Sequence, residues 1–266
     1  MFFEISTPMF SDVSTWSPMF PKASPPMFST SDKMTKGCNK LPTLSPLWQE
    51  MDEDFKTTID NIIDRNCRGS SLLRVLKFVP LLKVEIPTPL VHAFMDYYSL
   101  DQTTNSYSFN IRSGQRMNIT LDDVLYLTNL PIVGRPIVPN NNKDKGAFYR
   151  LFEISGNENH ISLTKLNDIS LNKEKIEDER IKVILLLIVT CIIAPNANGH
   201  NCNTSFVNFI ENLDEVDSYA WGAAMLSYLY QGMNNKLKKD NLSDGFLWLI
   251  IDSSFIISKV FIGSSA

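Results

Sequence analysis

The sequence predicts a mainly α-helical fold with a small β-hairpin, formed by a single helical domain that follows a disordered N-terminal leader. Three observations support this prediction. Apolar residues recur at helical spacing along most of residues 46–266, which are expected to form the domain. Residues 106–111 alternate apolar and polar side chains ahead of a glycine turn, as the first strand of a hairpin does. Residues 1–45 show neither pattern, and we assign them to the leader.

The leader is rich in Pro, Ser, Thr and Met, and the tripeptide Pro-Met-Phe occurs in it three times, at 8–10, 18–20 and 26–28. A segment of this composition buries too little apolar surface to order itself, so disorder is expected. The repeated Met-Phe pairs are compatible with anchors for a partner and with a neutral low-complexity segment. Composition alone favours the neutral interpretation.

The first half of the domain is predicted to hold three helices and the hairpin. Residues 48–64 place Phe55, Ile59, Ile62 and Ile63 at helical spacing. A second helix spans residues 72–79 before Pro80, and a third runs from Thr88-Pro89 to about Tyr98. The hairpin strands are residues 106–111 and 116–119, joined by a turn at 113–115.

A capped helix follows the hairpin. Thr120 is a favourable N-cap residue, and Asp123 three positions later completes a shortened capping box. The helix stops at Pro131, and residues 132–136 form a turn because of their Gly and Pro content.

The second half is predicted to be more helical still, with helices over residues 173–194, 204–213 and 214–237. The first of these contains the apolar run 181–194, which is shorter than the roughly 20 residues that a membrane span requires. A buried core helix is therefore expected, with no membrane association. Residues 243–262 are apolar and ambiguous between helix and strand.

Composition argues against several classes of protein. The formal net charge is −4, and the cluster of Lys236, Lys238 and Lys239 is too small for a strong nucleic-acid footprint. The four cysteines (Cys38, Cys67, Cys191 and Cys202) form no C-x-x-C pair, which argues against a disulfide scaffold or a zinc module. The start of the chain lacks the features of a signal peptide, so reduced thiols in the cytosol or nucleus are expected.

Three stretches stand out together. Residues 114–137 read GQRMNITLDDVLYLTNLPIVGRPI, residues 213–230 read LDEVDSYAWGAAMLSYLY, and residues 183–194 are an apolar run before a loop. In order and spacing they resemble the blocks of the plant mobile domain, a family found in proteins of the MAINTENANCE OF MERISTEMS type and in some transposons. The resemblance covers about residues 65–250. The family usually continues beyond the region of Trp248, so a domain truncated or divergent at its C-terminus is expected.

The resemblance raises two catalytic possibilities, because some relatives are named after metal-dependent serine/threonine phosphatases and the family is also labelled aminotransferase-like. Residues 156–160, GNENH, only loosely resemble one phosphatase motif, and the other motifs are absent. The chain has three histidines, His92, His160 and His200, too few for such a dinuclear site. A phosphate cradle for pyridoxal phosphate is also lacking. We therefore expect no enzymatic activity, no cofactor and no metal.

The resulting hypothesis is a non-catalytic protein-interaction module. The resemblance implies a nuclear role in meristem maintenance, genome stability or transposon silencing, with a phosphatase-like partner; a cytoplasmic location is the alternative. The candidate interaction surface comprises four aromatic residues: Trp221, Tyr228, Phe246 and Trp248. An aromatic stripe at helical spacing is, however, also typical of a core.

Two other hypotheses stay open. A transposon-derived nucleic-acid-binding domain would use residues 106–130 as part of a winged helix, but Asp122 and Asp123 begin that helix and few basic residues lie near. A degenerate gene copy with little function is the other.

Overall fold

The structure is a computed structural model that describes residues 44, 46–78, 95–101, 106–110, 116–139, 152, 161–195 and 200–239. All of them belong to one compact unit, Lys36–Ala266. Several predictions therefore lie outside the described residues: the disorder of the leader, the helix start at Thr88, the turn at 113–115 and the ambiguous segment 243–262.

The fold is mainly helical with a small sheet, which confirms the predicted fold class. The first half contains helices α1 (Leu47–Glu50), α2 (Glu53–Asp64) and α3 (Ser70–Phe78), strands β1 (Tyr98–Asp101), β2 (Ser106–Asn110) and β3 (Arg116–Met117), and helix α4 (Leu121–Thr128). The second half contains α5 (Leu163–Leu171), α6 (Glu177–Ile188) with a π-helical continuation (Val189–Ile193), α7 (Val207–Ile210) and α8 (Trp221–Lys239). Two 3₁₀ turns, Thr204–Phe206 and Leu213–Ser218, precede α7 and α8 respectively.

The centre of the fold is α6 with its π-helical continuation. Every residue from Arg180 to Pro195 is buried except Lys182. Helices α3, α5 and α7 pack against α6, and α8 packs against the π-helical continuation. The predicted core helix is confirmed, although it begins at Glu177 rather than at residue 173. Among the described residues, no helix combines the length and apolarity needed to cross a bilayer.

The buried charge of Arg180 joins three helices. Its Nη2 donates to Oδ2 of Asp52 at 3.0 Å, and its Nε donates to the Ser170 carbonyl at 2.9 Å. The guanidinium carbon lies 3.6 Å from the ring centroid of Phe55. A buried guanidinium is tolerated only when it is paired and hydrogen-bonded, and these partners satisfy that requirement. Asp52 also caps α2 by accepting from the Phe55 amide, which explains why the predicted helix over residues 48–64 is broken in two.

This cluster predicts a pH-dependent stability. The Phe55 amide, and after it Arg180, hold the pKa of Asp52 below its ordinary value of 3.8. A depressed pKa stabilises the fold above the unfolded-state pKa, and that contribution is lost as pH falls through the folded-state pKa. Asp52→Asn is therefore expected to lower the free energy of unfolding at neutral pH, with the difference shrinking in acid. Urea unfolding across pH measures it, and the exposed Asp54→Asn is the control. A difference that stays constant down to pH of about 2 would contradict this linkage.

A tight turn before α3 is stabilised by Asp217, which lies far away in sequence. Asn66, Arg68 and Gly69 have φ of 52°, 53° and 84°. The Asp217 carboxylate then accepts five hydrogen bonds from the start of α3: the amides of Gly69, Ser70 and Ser71, and both serine hydroxyls. Glycine is favoured at position 69, because φ of 84° strains other residues and a Cβ there would lie 2.8 Å from Leu185 Cδ1, which would have to move.

The sheet is antiparallel in the order β1-β2-β3. Its hairpin, β2 and β3, is the one that the sequence predicts. The helix expected to run to about Tyr98 ends at Asp96, two residues short, because Tyr98 begins β1 and pairs with Phe109. Its buried ring lies 4.9 Å from Phe109, and its hydroxyl donates to Asn234 of α8 at 2.9 Å. Strand β1 is therefore held by its ladder with β2 and by the packing of Tyr98 on Phe109.

Candidate protein-interaction surface

Helix α4 is closed at both ends by local hydrogen bonds. The Thr120 hydroxyl accepts from the Asp123 amide at 3.2 Å, and the Asp123 carboxylate accepts from the Thr120 amide at 2.7 Å. The predicted capping box is therefore confirmed. At the other end, Asn129 adopts the left-handed conformation with φ 54° and ends the helix ahead of Pro131.

One face of α4 packs on α8. Val124 is completely buried and contacts Gly222, where a Cβ would lie 3.2 Å from Val124 Cγ1. Tyr230, two turns further along α8, donates its hydroxyl proton to the Ile119 carbonyl at 2.9 Å. The start of α4 therefore lies beside Tyr230 and its end beside Gly222, so the two helices run antiparallel.

The turn after α4 is fixed to the segment that precedes α8. The Gly222 amide donates to the Pro131 carbonyl at 2.9 Å, and the Arg135 amide donates to the Ser218 carbonyl at 2.8 Å. The Ala220 amide donates back to the Arg135 carbonyl at 3.0 Å. Gly134 has φ of 150°, and a Cβ there would lie 2.6 Å from the Ser218 oxygen. Glycine is therefore required where the two backbones meet.

The Arg135 side chain reinforces this junction. Its Nη1 lies 2.6 Å from Oε2 of Glu215, and its guanidinium carbon lies 4.8 Å from the ring centroid of Tyr219. The hydrogen bond from Arg135 holds the pKa of Glu215 below its ordinary value. Two of the sequence blocks, 114–137 and 213–230, are thus in direct contact.

The remaining face of α4 and the turn after it expose large apolar side chains. Among the described residues, eight large hydrophobic side chains are exposed, and five of them lie within residues 121–138: Leu121 (40%), Leu125 (40%), Tyr126 (80%), Val133 (85%) and Val138 (72%). We call these five the 121–138 surface. Leu121 and Leu125 are one turn apart on α4 and Tyr126 follows directly, and neighbouring exposed apolar groups are typical of protein-interaction sites.

The comparisons with known proteins identify the family. The sequence profile of the plant mobile domain matches residues 75–251, which is about two thirds of the chain. The chain belongs to the plant mobile domain family. It is similar to three proteins of Arabidopsis thaliana: MAIN-LIKE 1 (27% identical over 80% of this chain), MAIN-LIKE 2 (24% over 66%) and MAINTENANCE OF MERISTEMS (25% over 57%).

The chain spans less than half the length of each of these relatives, namely 42% of MAIN-LIKE 1, 27% of MAIN-LIKE 2 and 33% of MAINTENANCE OF MERISTEMS. No solved structure matches it significantly.

The structure places the predicted site residues of this plant mobile domain in different environments. Trp221 is completely buried, and its indole Nε1 donates to the Val216 carbonyl at 2.8 Å. This corrects its assignment to an exposed surface, because the side chain is enclosed by the core. Tyr228 is half-buried and meets Phe206 edge-on, with ring centroids 6.5 Å apart. Phe246 and Trp248 lie outside the described residues.

Sequence reasoning missed the 121–138 surface, although a signal for it was present. Helix α4 has apolar residues at five of its eight positions, Leu121, Val124, Leu125, Tyr126 and Leu127. They extend around more of the helix than one stripe, and a short helix can bury only one side against its neighbour. The excess of apolar residues therefore indicates an exposed apolar face.

Within the described part of the chain, no group of three or more His, Cys, Asp and Glu side chains is arranged to hold a metal ion. His200 is exposed and Cys202 is buried. The motif-like residues 156–160 lie outside the described residues.

Proposed function

We propose that this plant mobile domain is a non-catalytic protein-interaction module of a nuclear plant protein, and that the 121–138 surface binds its partner. The exposure of that surface is the observation that carries the proposal. The role that fits the family is meristem maintenance, genome stability or transposon silencing, with a phosphatase-like protein as the partner. The absence of phosphatase and pyridoxal phosphate motifs from the sequence supports a non-catalytic role.

The rigidity of the surface supports this proposal. The capping box holds one end of α4, and backbone hydrogen bonds fix the turn that presents Val133. Tyr126 and Val133, at 80% and 85% exposure, are therefore displayed by an ordered backbone. A surface that is ordered before it binds loses less conformational entropy on association, which favours affinity.

Charge favours a protein over a nucleic acid as the partner. Residues 117–134 contain Asp122 and Asp123 and have no lysine or arginine. Nucleic-acid binding depends on cations that neutralise phosphates, and this segment offers carboxylates instead. The winged-helix alternative is therefore disfavoured at the helix that would have to enter the groove.

A comparison of three forms of the full chain tests the proposal. Wild type, Leu125→Ser/Tyr126→Ser and the control Ile176→Ser are immobilised and exposed to nuclear extract from plant meristem, and retained proteins are identified by mass spectrometry. Ile176 is a matched control because it is 68% exposed but lies at the start of α6. We expect wild type and control to retain a shared set of proteins that the double variant loses.

The proposal is contradicted by any of three outcomes: that the double variant retains the same proteins as wild type, that retention depends on nuclease-sensitive nucleic acid, or that the chain hydrolyses phosphoesters with manganese.

A further inference from the structure

A carboxylate lies among the apolar side chains of the 121–138 surface. Asp122 is exposed and lies three and four residues before Leu125 and Tyr126, which places these side chains on one face of α4. Among the described residues, Asp122 has no hydrogen-bond or ion-pair partner. Its neighbour Asp123 differs, since its carboxylate accepts from the amide and hydroxyl of Thr120.

The flanking cations are already paired. Arg116 pairs with Asp101 on one side of the segment, and Arg135 pairs with Glu215 on the other. Between them, residues 117–134 have no lysine or arginine. A partner that covers this face would remove the Asp122 carboxylate from water, and a buried charge without a counter-ion is strongly unfavourable. A lysine or arginine supplied by the partner would offset that cost.

We propose that the occupant of this face is a cationic amphipathic segment of another protein, with apolar side chains for Leu121, Leu125 and Tyr126 and a lysine or arginine for Asp122. This inference rests on the proposed function and specifies the partner's chemistry. A second copy of this chain, docked by the same face about a two-fold axis, would bring two unpaired Asp122 carboxylates into one interface. Like charges across an interface are costly, so charge complementarity favours the cationic partner.

Two synthetic peptides and the full chain test the inference. Both peptides are fluorescein-labelled helices of about 18 residues with leucines at helical spacing. The polar face is lysine in one peptide and glutamate in the other. Fluorescence anisotropy is expected to show binding of the Leu/Lys peptide and none of the Leu/Glu peptide. Asp122→Lys is expected to weaken binding of the Leu/Lys peptide roughly tenfold and to permit binding of the Leu/Glu peptide.

The matched control is Asp64→Lys. Asp64 is exposed at the end of α2, so this change alters the net charge equally but at another place. It is expected to change the affinity for the Leu/Lys peptide less than about twofold, because exposed charges are screened over distance. Thermal unfolding establishes that both variants are folded. The inference is overturned if the wild-type chain binds neither peptide, if it binds both equally, or if Asp64→Lys weakens binding as much as Asp122→Lys.

The inference and the proposed function fail differently. If nuclear proteins are lost from Leu125→Ser/Tyr126→Ser but retained by Asp122→Lys, the proposed function stands and the cationic partner is overturned. If the double variant loses nothing, the proposed function itself is contradicted.

Discussion

Asp217→Ala is expected to lower the free energy of unfolding by about 3 kcal/mol. The carboxylate accepts five hydrogen bonds at the start of α3, and both Gly69 and Ser70 are buried. Without it, the amides of Gly69 and Ser71 lose their acceptor in a site that water enters poorly, while the Ser70 amide keeps the Cys67 carbonyl at 3.0 Å. Urea unfolding followed by circular dichroism measures the loss.

Two further variants make this result interpretable. Asp217→Asn retains one acceptor oxygen, and since Oδ1 and Oδ2 each serve part of the cluster, an intermediate loss is expected. Asp214→Ala removes an exposed carboxylate from the same 3₁₀ turn and is expected to change stability by less than about 0.5 kcal/mol. Equal losses in Asp217→Ala and Asp214→Ala would show that the cap is not the cause.

Trp221→Ala is expected to be the more damaging change, with a loss of about 4 kcal/mol. The indole is completely buried and makes a hydrogen bond to the Val216 carbonyl. Domains of this kind have a total stability of about 5–15 kcal/mol, so the variant is expected to unfold far more readily than wild type. Trp221→Phe keeps most of the ring volume and is expected to lose about 1 kcal/mol. Thermal unfolding of both variants gives the comparison.

Tyr126→Ala provides the contrast, because Tyr126 is 80% exposed. Its removal is expected to leave stability within about 0.5 kcal/mol of wild type while partner retention falls. If Trp221→Ala were as stable as wild type and lost only the partner, Trp221 would be a surface residue after all. The pair of variants therefore separates a core aromatic side chain from an interaction residue.

The parts of the fold that sequence predicts are those with a local cause. The Thr120–Asp123 capping box depends on two residues that are three positions apart in sequence. The apolar run 181–194 is too hydrophobic to lie at the surface. Strand β1 has no such signal, because Tyr98 takes its conformation from Phe109. The break at Tyr219 before α8 likewise depends on a bridge to Arg135. Contacts between distant residues decide these features.

The candidate site was harder to predict than the fold for a related reason. Trp221 and Tyr126 are both aromatic residues in apolar helices, and sequence spacing treats them alike. Their environments diverge because Gly222 admits α4 close to α8, which buries Val124 and turns Tyr126 away from the contact. Which face of a short apolar helix is covered depends on its neighbour, and one sequence does not specify that neighbour.

The Asp217 cap also bears on how the chain folds during synthesis. The Asp217 carboxylate accepts hydrogen bonds from amides that lie 146 to 148 residues earlier in the chain. The Tyr98 hydroxyl donates to Asn234, which lies 136 residues later. Contacts so distant in sequence are formed late, because a long loop must close before they contribute. During synthesis on the ribosome, α3 therefore emerges well before Asp217, whose carboxylate accepts from the amides of its first turn. A nascent chain that stops short of residue 217 lacks the hydrogen bonds that Asp217 makes to α3, and apolar surface exposed at that stage favours aggregation.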